Sequence, residues 1–164
     1  RLKQCGLKLN QKKTRIVYCQ DGIRKGIYPN RTFDFLGFTF QARKCKGTKG
    51  LFTGFNPGMS KKAMKKKRQE LRDLRWGKMT QETLEDLAKT LNEKARGWIQ
   101  YYGEFYKTAM YPLFKYVKYL LVEWARKKFK RFKRSRRRAA NWLDRIKYEK
   151  PRMFVHWYLL KEMV

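Results

Sequence analysis

Histidine, paired cysteines and acids are what this chain has least of, and each shortage removes a class of function. His156 is the only histidine, and the three cysteines, Cys5, Cys19 and Cys45, are odd in number with no C-x-x-C spacing. A structural zinc centre draws four ligands from Cys, His and carboxylates. A His-based hydrolase needs a base with positioned partners. Neither set is present, so no metal site is expected, and His156 reads as a packed or surface residue. The cysteines read as reduced thiols, mostly buried. Long apolar runs are missing too: the longest aliphatic cluster, Leu120-Leu121-Val122, falls far short of the ~18 residues a membrane-spanning helix needs. No secretory signal opens the chain. It starts with Arg rather than Met, and the expectation is a piece of a longer protein.

Thirteen Asp and Glu stand against 43 Lys and Arg, for a net charge of +30 over 164 residues. Every third of the chain is net positive, a field that draws polyanions by counterion release. The densest stretch runs from Arg126 to Arg138, with ten basic residues, no acid, and Phe129 and Phe132 set among them. A pure basic tail would be disordered. Here Val117, Leu121, Ala125, Phe129 and Phe132 recur at three- and four-residue steps, which predicts one face of a helix. The expectation is an anchored helix presenting cations to phosphates, as against a merely solvated helix face, which would mix signs. With 42% apolar and 16% aromatic residues, the chain has enough to build a core and is not a disordered basic tail.

The fold class expected is α+β, mostly α. Residues 1–58 read as a small antiparallel β portion. Thr14 to Cys19 is β-branched and aromatic, with the turn signal Asp21-Gly22 after it. Phe33 to Phe40 alternates large apolar residues around Gly37, and Gly47-Thr48-Lys49-Gly50 reads as a hairpin tip before Leu51–Phe55. At Asn56-Pro57-Gly58 the period changes to that of helices. Ser60 is placed to cap a helix running to about Trp76, and Thr80 to cap a second. Leu84, Leu87, Leu91, Ala95, Trp98 and Tyr102 form a stripe along that second helix, with Asn92 as a potential break. Pro112 fits the first turn of a helix over 111–134. Ser135 is placed to cap the last, whose apolar face is Ala139, Trp142, Leu143 and Ile146 and whose end is Pro151. The result is a bundle of four to five helices, on which the hydrophobic tail from Met153 to Leu160 docks.

Several blocks in this order resemble group II intron-encoded reverse transcriptase/maturases. Leu7 to Ile16 and Phe33 to Phe40 look like the last two blocks of a reverse-transcriptase palm. Leu91-Asn92, the Arg96-Gly97-Trp98-Ile99-Gln100-Tyr101-Tyr102 block, Trp142-Leu143 and Phe154-Val155-His156-Trp157 resemble the thumb and maturase region. The resemblance implies three segments: the C-terminal end of a palm over 1–58, thumb helices over 59–108, and the maturase region over 109–164. It implies that Lys13 lies near an incoming nucleotide's phosphates as an auxiliary proton donor. It implies a primer grip at Phe35, Leu36 and Gly37, where a glycine lets the nucleic-acid backbone approach; the plain alternative there is a strand bulge.

The resemblance implies no catalysis by this segment itself. The family's aromatic-x-Asp-Asp block, whose carboxylates hold two Mg²⁺, has no counterpart here. Glu85-Asp86, the one adjacent pair in a suggestive order, reads as the outer face of a helix. The block is expected upstream, and no C-terminal nuclease domain is expected. Mg²⁺ is accordingly expected for the intact polymerase and for the intron RNA, with no cofactor in this segment. The partners implied are group II intron RNA, an RNA template with its DNA primer, and the upstream palm and fingers of the same protein, in a bacterial cytoplasmic ribonucleoprotein. The RNA-binding candidates are Arg126, Arg131, Arg134, Arg136, Arg137 and Arg138, whose forked guanidiniums suit shaped RNA. Lys61, Lys62, Lys65, Lys66, Lys67 and Arg68 form a more duplex-like set, and Tyr101 is a candidate stacking residue. The rival reading is a generic basic architectural protein that binds duplex DNA or ribosomal RNA.

Overall fold

The computed structural model describes residues 3–12, 14–23 and 26–159. Its contacts divide the chain into two compact units, Arg1–Pro57 and Gly58–Val164. The fold is α+β and mostly α, with one three-stranded antiparallel sheet and four substantial helices.

The first unit is built on strands β1 (Phe33–Phe35), β2 (Phe38–Gly47) and β3 (Gly50–Met59), in that order across the sheet; the last two residues of β3 belong to the second unit. The hairpin tip expected at Gly47–Gly50 joins β2 to β3, and Gly50 takes the left-handed φ of 112° that the turn demands. β1 and β2 pair with Phe33 opposite Phe40 and Phe35 opposite Phe38. The Phe33 and Phe40 rings stack at 4.6 Å, a cross-strand pair that fixes the register. Thr14–Cys19, expected as a strand, is irregular. Its β-branched residues found no ladder: Tyr18 donates its N–H to the Asn30 carbonyl (2.9 Å) and stacks on Tyr28 (3.9 Å) instead. Asp21-Gly22 does turn, with Asp21 Oδ1 accepting the Ile23 N–H at 3.0 Å. The cysteines also depart from expectation, since Cys5 and Cys19 are exposed and Cys45 is half-buried, all as free thiols.

The second unit packs α1 (Lys61–Asp73), α2 (Leu84–Tyr106), α3 (Tyr111–Lys128), α4 (Arg136–Glu149) and the short α5 (Val155–Leu159) around one core. Ser60 caps α1 as expected, its Oγ accepting the Ala63 N–H at 3.1 Å. The cap of α2 is Thr83 rather than Thr80, because only Thr83 has an acid three residues on to complete a capping box with Asp86. The stripe Leu84, Leu87, Leu91, Ala95, Trp98 and Tyr102 is buried as its spacing requires. Asn92 does not break α2. Its amide faces the tail, donating to the Met153 carbonyl and accepting the Val155 N–H, both at 2.8 Å. That clamp docks Phe154, Val155 and Trp157 in the core, where each large side chain contributes about 1.5–3 kcal/mol by burial.

Pro112 stands in the first turn of α3, but α3 stops at Lys128 and does not reach 134. Phe129 is extended (φ −106°, ψ 115°), Lys130–Phe132 make one 3₁₀ turn, and Ser135 caps α4. Two forces end the helix there. Continuing it would stack Lys127, Lys128, Lys130 and Arg131 at repelling i, i+3 and i+4 positions. Breaking it lets Phe129 and Phe132 meet Trp142 at 5.3 and 5.5 Å in an aromatic cluster that closes the turn.

Candidate nucleic-acid interface

The break in α3 turns the basic stretch into a corner rather than a rod. Trp124 donates its indole N–H to the Met79 carbonyl (2.8 Å), and Lys128 gives its ammonium to the carbonyls of Thr80 (2.9 Å) and Glu82 (2.6 Å). Thus the end of α3 holds the connector into α2. Glu123 ties the two sides of the corner together. It accepts from Arg126 at 3.1 and 3.0 Å and pairs with Arg136 at 3.4 Å, while Arg136 lies 4.5 Å over the Tyr119 ring. Arg126 also donates to the Lys133 carbonyl at 3.2 Å. Arg131 stacks over the Phe132 ring at 4.6 Å.

The candidate arginines therefore divide. Arg126 and the more exposed Arg136 both pair with Glu123, Arg131 rests on an aromatic face, and Arg134, Arg137 and Arg138 are exposed with no hydrogen bond or ion pair from their side chains to a described residue. Lys127, Lys130 and Lys133 share that condition and that corner. Sequence spacing missed Lys127, Lys130 and Lys133 as individuals, although the same charge density marks them.

The first turn of α4 is Arg136-Arg137-Arg138, and it contains no acid. A helix N-terminus carries about half a positive charge, so these guanidiniums sit at the end least hospitable to them. Ser135 Oγ accepting the Arg138 N–H at 3.3 Å is the local compensation.

The α1 set divides in the same manner. Lys61, Lys62, Lys65 and Lys66 are exposed on its first two turns, again with no acid in the first. Lys67 turns to Glu70 (2.9 Å) and lies 5.4 Å over Trp98, and Arg68 donates to the Pro112 carbonyl (3.1 Å) beside Tyr116 (5.6 Å). Trp98 is core at 7% exposure, whereas Tyr101 is 49% exposed with its ring edge-on to Tyr102 at 4.8 Å.

In the first unit, Phe35, Leu36 and Gly37 occupy the β1–β2 turn. Phe35 and Phe38 pair, so Leu36 and Gly37 form a two-residue loop, and both have positive φ, 48° and 82°. That is the pattern of the tight hairpin turn for which Asn-Gly is preferred. A leucine there carries strain of the order of 1–2 kcal/mol and leaves its side chain 69% exposed. Lys13 lies outside the described residues.

Acids and His156 have structural employment. Asp86 accepts from the Thr83 hydroxyl (2.6 Å) and N–H (3.1 Å), which hold its carboxyl below the usual range. Glu85 is bound by the Lys150 ammonium at 3.0 Å, which lowers its pKa also. Among the described residues no group of three or more His, Cys, Asp or Glu is placed to hold a metal ion. With Glu85 and Asp86 so engaged, the donor set among the described residues does not fit the two-Mg²⁺ centre of a polymerase. His156 is buried and stacks on Phe114 at 4.7 Å, and burial pushes its pKa down to about 3. It is a neutral core ring. No described helix is long and apolar enough to cross a membrane.

Against known proteins, residues 64–142 match the family model described as group II intron, maturase-specific domain. No curated protein and no solved structure matches the chain. The matched segment runs from the first turn of α1 through α2 and α3 to Trp142 on α4, and takes in the whole cationic corner. The corner, the buried α2 stripe and the aromatic cluster at Trp142 thus lie within one matched segment, and residues 64–142 are similar to the maturase-specific domain of group II introns, a similarity that implies a role in group II intron splicing.

Proposed function

We propose that this chain assists splicing by binding group II intron RNA through the α3–α4 corner. The observation that carries the reading is the set Arg134, Arg137 and Arg138, exposed without acidic partners among the described residues at a corner tied by Glu123 and packed by the Phe129–Phe132–Trp142 cluster. Compact RNA crowds phosphates together, and fixed guanidiniums offset that repulsion by bidentate contacts. The work is binding, with the RNA as catalyst and holder of its own Mg²⁺. The segment is not an enzyme by itself. Contacts with ~6–10 phosphates would weaken binding by about 10³–10⁵ between 50 and 200 mM salt.

A second role belongs to the same reading. Joined to an upstream palm and fingers, Lys61, Lys62, Lys65 and Lys66, with the inward-turned Lys67 and Arg68 behind them, would lie along a template–primer duplex, with Tyr101 for stacking. The strained Leu36-Gly37 turn would grip the primer end, and Mg²⁺ would be held by the upstream carboxylates. The exposed Ile16, Ile23, Ile27 and Leu51 support a covering partner for the first unit. Residues 59–108 and 109–164 would then be the duplex-facing and intron-facing parts, in a bacterial cytoplasmic ribonucleoprotein. The test is competition: the chain bound to folded intron RNA at ~200 mM salt, challenged with unrelated structured RNA and duplex DNA. Retention of the intron supports the reading. Equal displacement by every polyanion would show a generic basic binder.

A further inference from the structure

Beside the corner, between the 3₁₀ turn and α4, lies a groove of ≈ 430 Å³ lined by Arg131, Phe132, Arg138, Asn141, Trp142 and Arg145. The volume is within the ~300–1,000 Å³ typical of small-molecule sites. Its lining has three guanidiniums, two aromatic rings, one amide and no acid. Among the described residues, Arg131 and Arg138 have no acidic partner, and Arg145 meets only Glu149, at 3.7 Å. Phe132, buried at 5% exposure with Arg131 over one face, lies 5.5 Å from the half-buried Trp142, and Phe129 contacts both rings, so Trp142 is packed from behind before anything binds.

This chemistry is not that of a face tracking a phosphate backbone, which needs no aromatic wall and no amide. The geometry points to a subsite for one unpaired nucleotide of a bound RNA, with its base against the half-buried Trp142 ring, which Phe132 backs from the core, and its phosphate between Arg131, Arg138 and Arg145. Base–aromatic stacking and guanidinium–phosphate bonds are the two terms by which single-stranded nucleotides are held. Asn141, exposed on α4 at the groove edge, offers a donor and an acceptor side by side. That pair matches adenine, whose N6 and N7 present the complement. The inference rests on the chain being an RNA binder and adds to it a discrimination between paired and extruded nucleotides.

The test uses the full chain and two RNA hairpins identical except for a single bulged adenosine, with duplex DNA as competitor. The bulged hairpin is expected to bind about tenfold tighter. A 2-aminopurine in the bulge, which keeps N7 but has no N6 amine, reports the stacking on Trp142 alone and should lose fluorescence on binding. Asn141→Ala, which alters an exposed side chain only, and Trp142→Phe, which keeps a ring in the cluster, should each bring the ratio of the two affinities toward one. Hairpins that both outcompete DNA yet bind equally would overturn the subsite and leave RNA binding standing. Duplex DNA displacing both hairpins equally would overturn the RNA reading and the subsite together. A preference for the bulge that both variants retain in full would place the nucleotide elsewhere and overturn the assignment.

Discussion

Helices α2 and α4 begin in opposite ways within one packed unit. α2 opens with Thr83 and Asp86 in a reciprocal capping box and with Glu85 in its first turn. Those are the charges that a helix dipole favours. α4 opens with a serine cap and three arginines, the charges it disfavours. Both helices bury their apolar faces in the same core, so packing does not explain the contrast. The start of α2 is arranged for stability: its acids hold the cap and bind Lys150. The start of α4 gives up local stability and leaves Arg137 and Arg138 exposed and, among the described residues, without an ion pair. Local conflict of this type is expected where a surface is built for a partner; here the conflict is electrostatic, and it is the anionic partner of the proposed function that would relieve it.

The contrast breaks most sharply at Arg137 and Arg138. Arg137→Glu with Arg138→Glu should weaken intron RNA binding by roughly 10²-fold near 100 mM salt, measured by filter retention. The same double variant should stabilise the fold by about 1 kcal/mol in denaturant melts, because acids suit the first turn of α4. Loss of stability along with affinity would mean that the arginines support the fold. At Asn92, which serves the core rather than the surface, Asn92→Ala strands the Met153 carbonyl and the Val155 N–H. It should cost about 1–3 kcal/mol by urea melts, with RNA affinity per folded molecule unchanged.

His156 gives a pH signature from the same core. Its folded pKa, about 3, lies below the ordinary 6.5, so between those values the unfolded chain takes up a proton that the folded chain refuses. Stability is unaffected by this group above pH ~6.5 and should fall by up to about 1.4 kcal/mol per pH unit as pH drops toward 3. His156→Phe should flatten that slope; an unchanged slope would assign the acid sensitivity to other groups. Smallest is Thr83→Ala, which removes the α2 cap and should cost about 1 kcal/mol in stability with no change in RNA affinity.

Much of this was legible from spacing alone. The α2 stripe, the Ser60 and Ser135 caps, Pro112 in the first turn of α3 and the Gly47–Gly50 hairpin tip all express local rules, and the structure obeys them. What stayed hidden depends on distant contacts. Phe129 and Phe132 fit a helical period as well as they fit a break, and Trp142, ten residues further on, decides between the two. Asn92 reads as a helix breaker until Met153 and Val155 arrive to occupy its amide. The strand propensity of Thr14–Cys19 had no neighbour to pair with. In the cationic corner the charge was plain, but which guanidiniums are free was not, since Glu123 claims Arg126 and Arg136 only after the chain has turned.

The most direct test of the central claim is the salt dependence of intron RNA affinity, compared between the unaltered chain and the Arg137→Glu/Arg138→Glu variant. If the α4 arginines contact phosphates, the slope of log K against log salt should become shallower by about 2 in the variant, with affinity reduced most at low salt. Identical slopes and affinities would contradict the claim and move RNA recognition away from the α3–α4 corner.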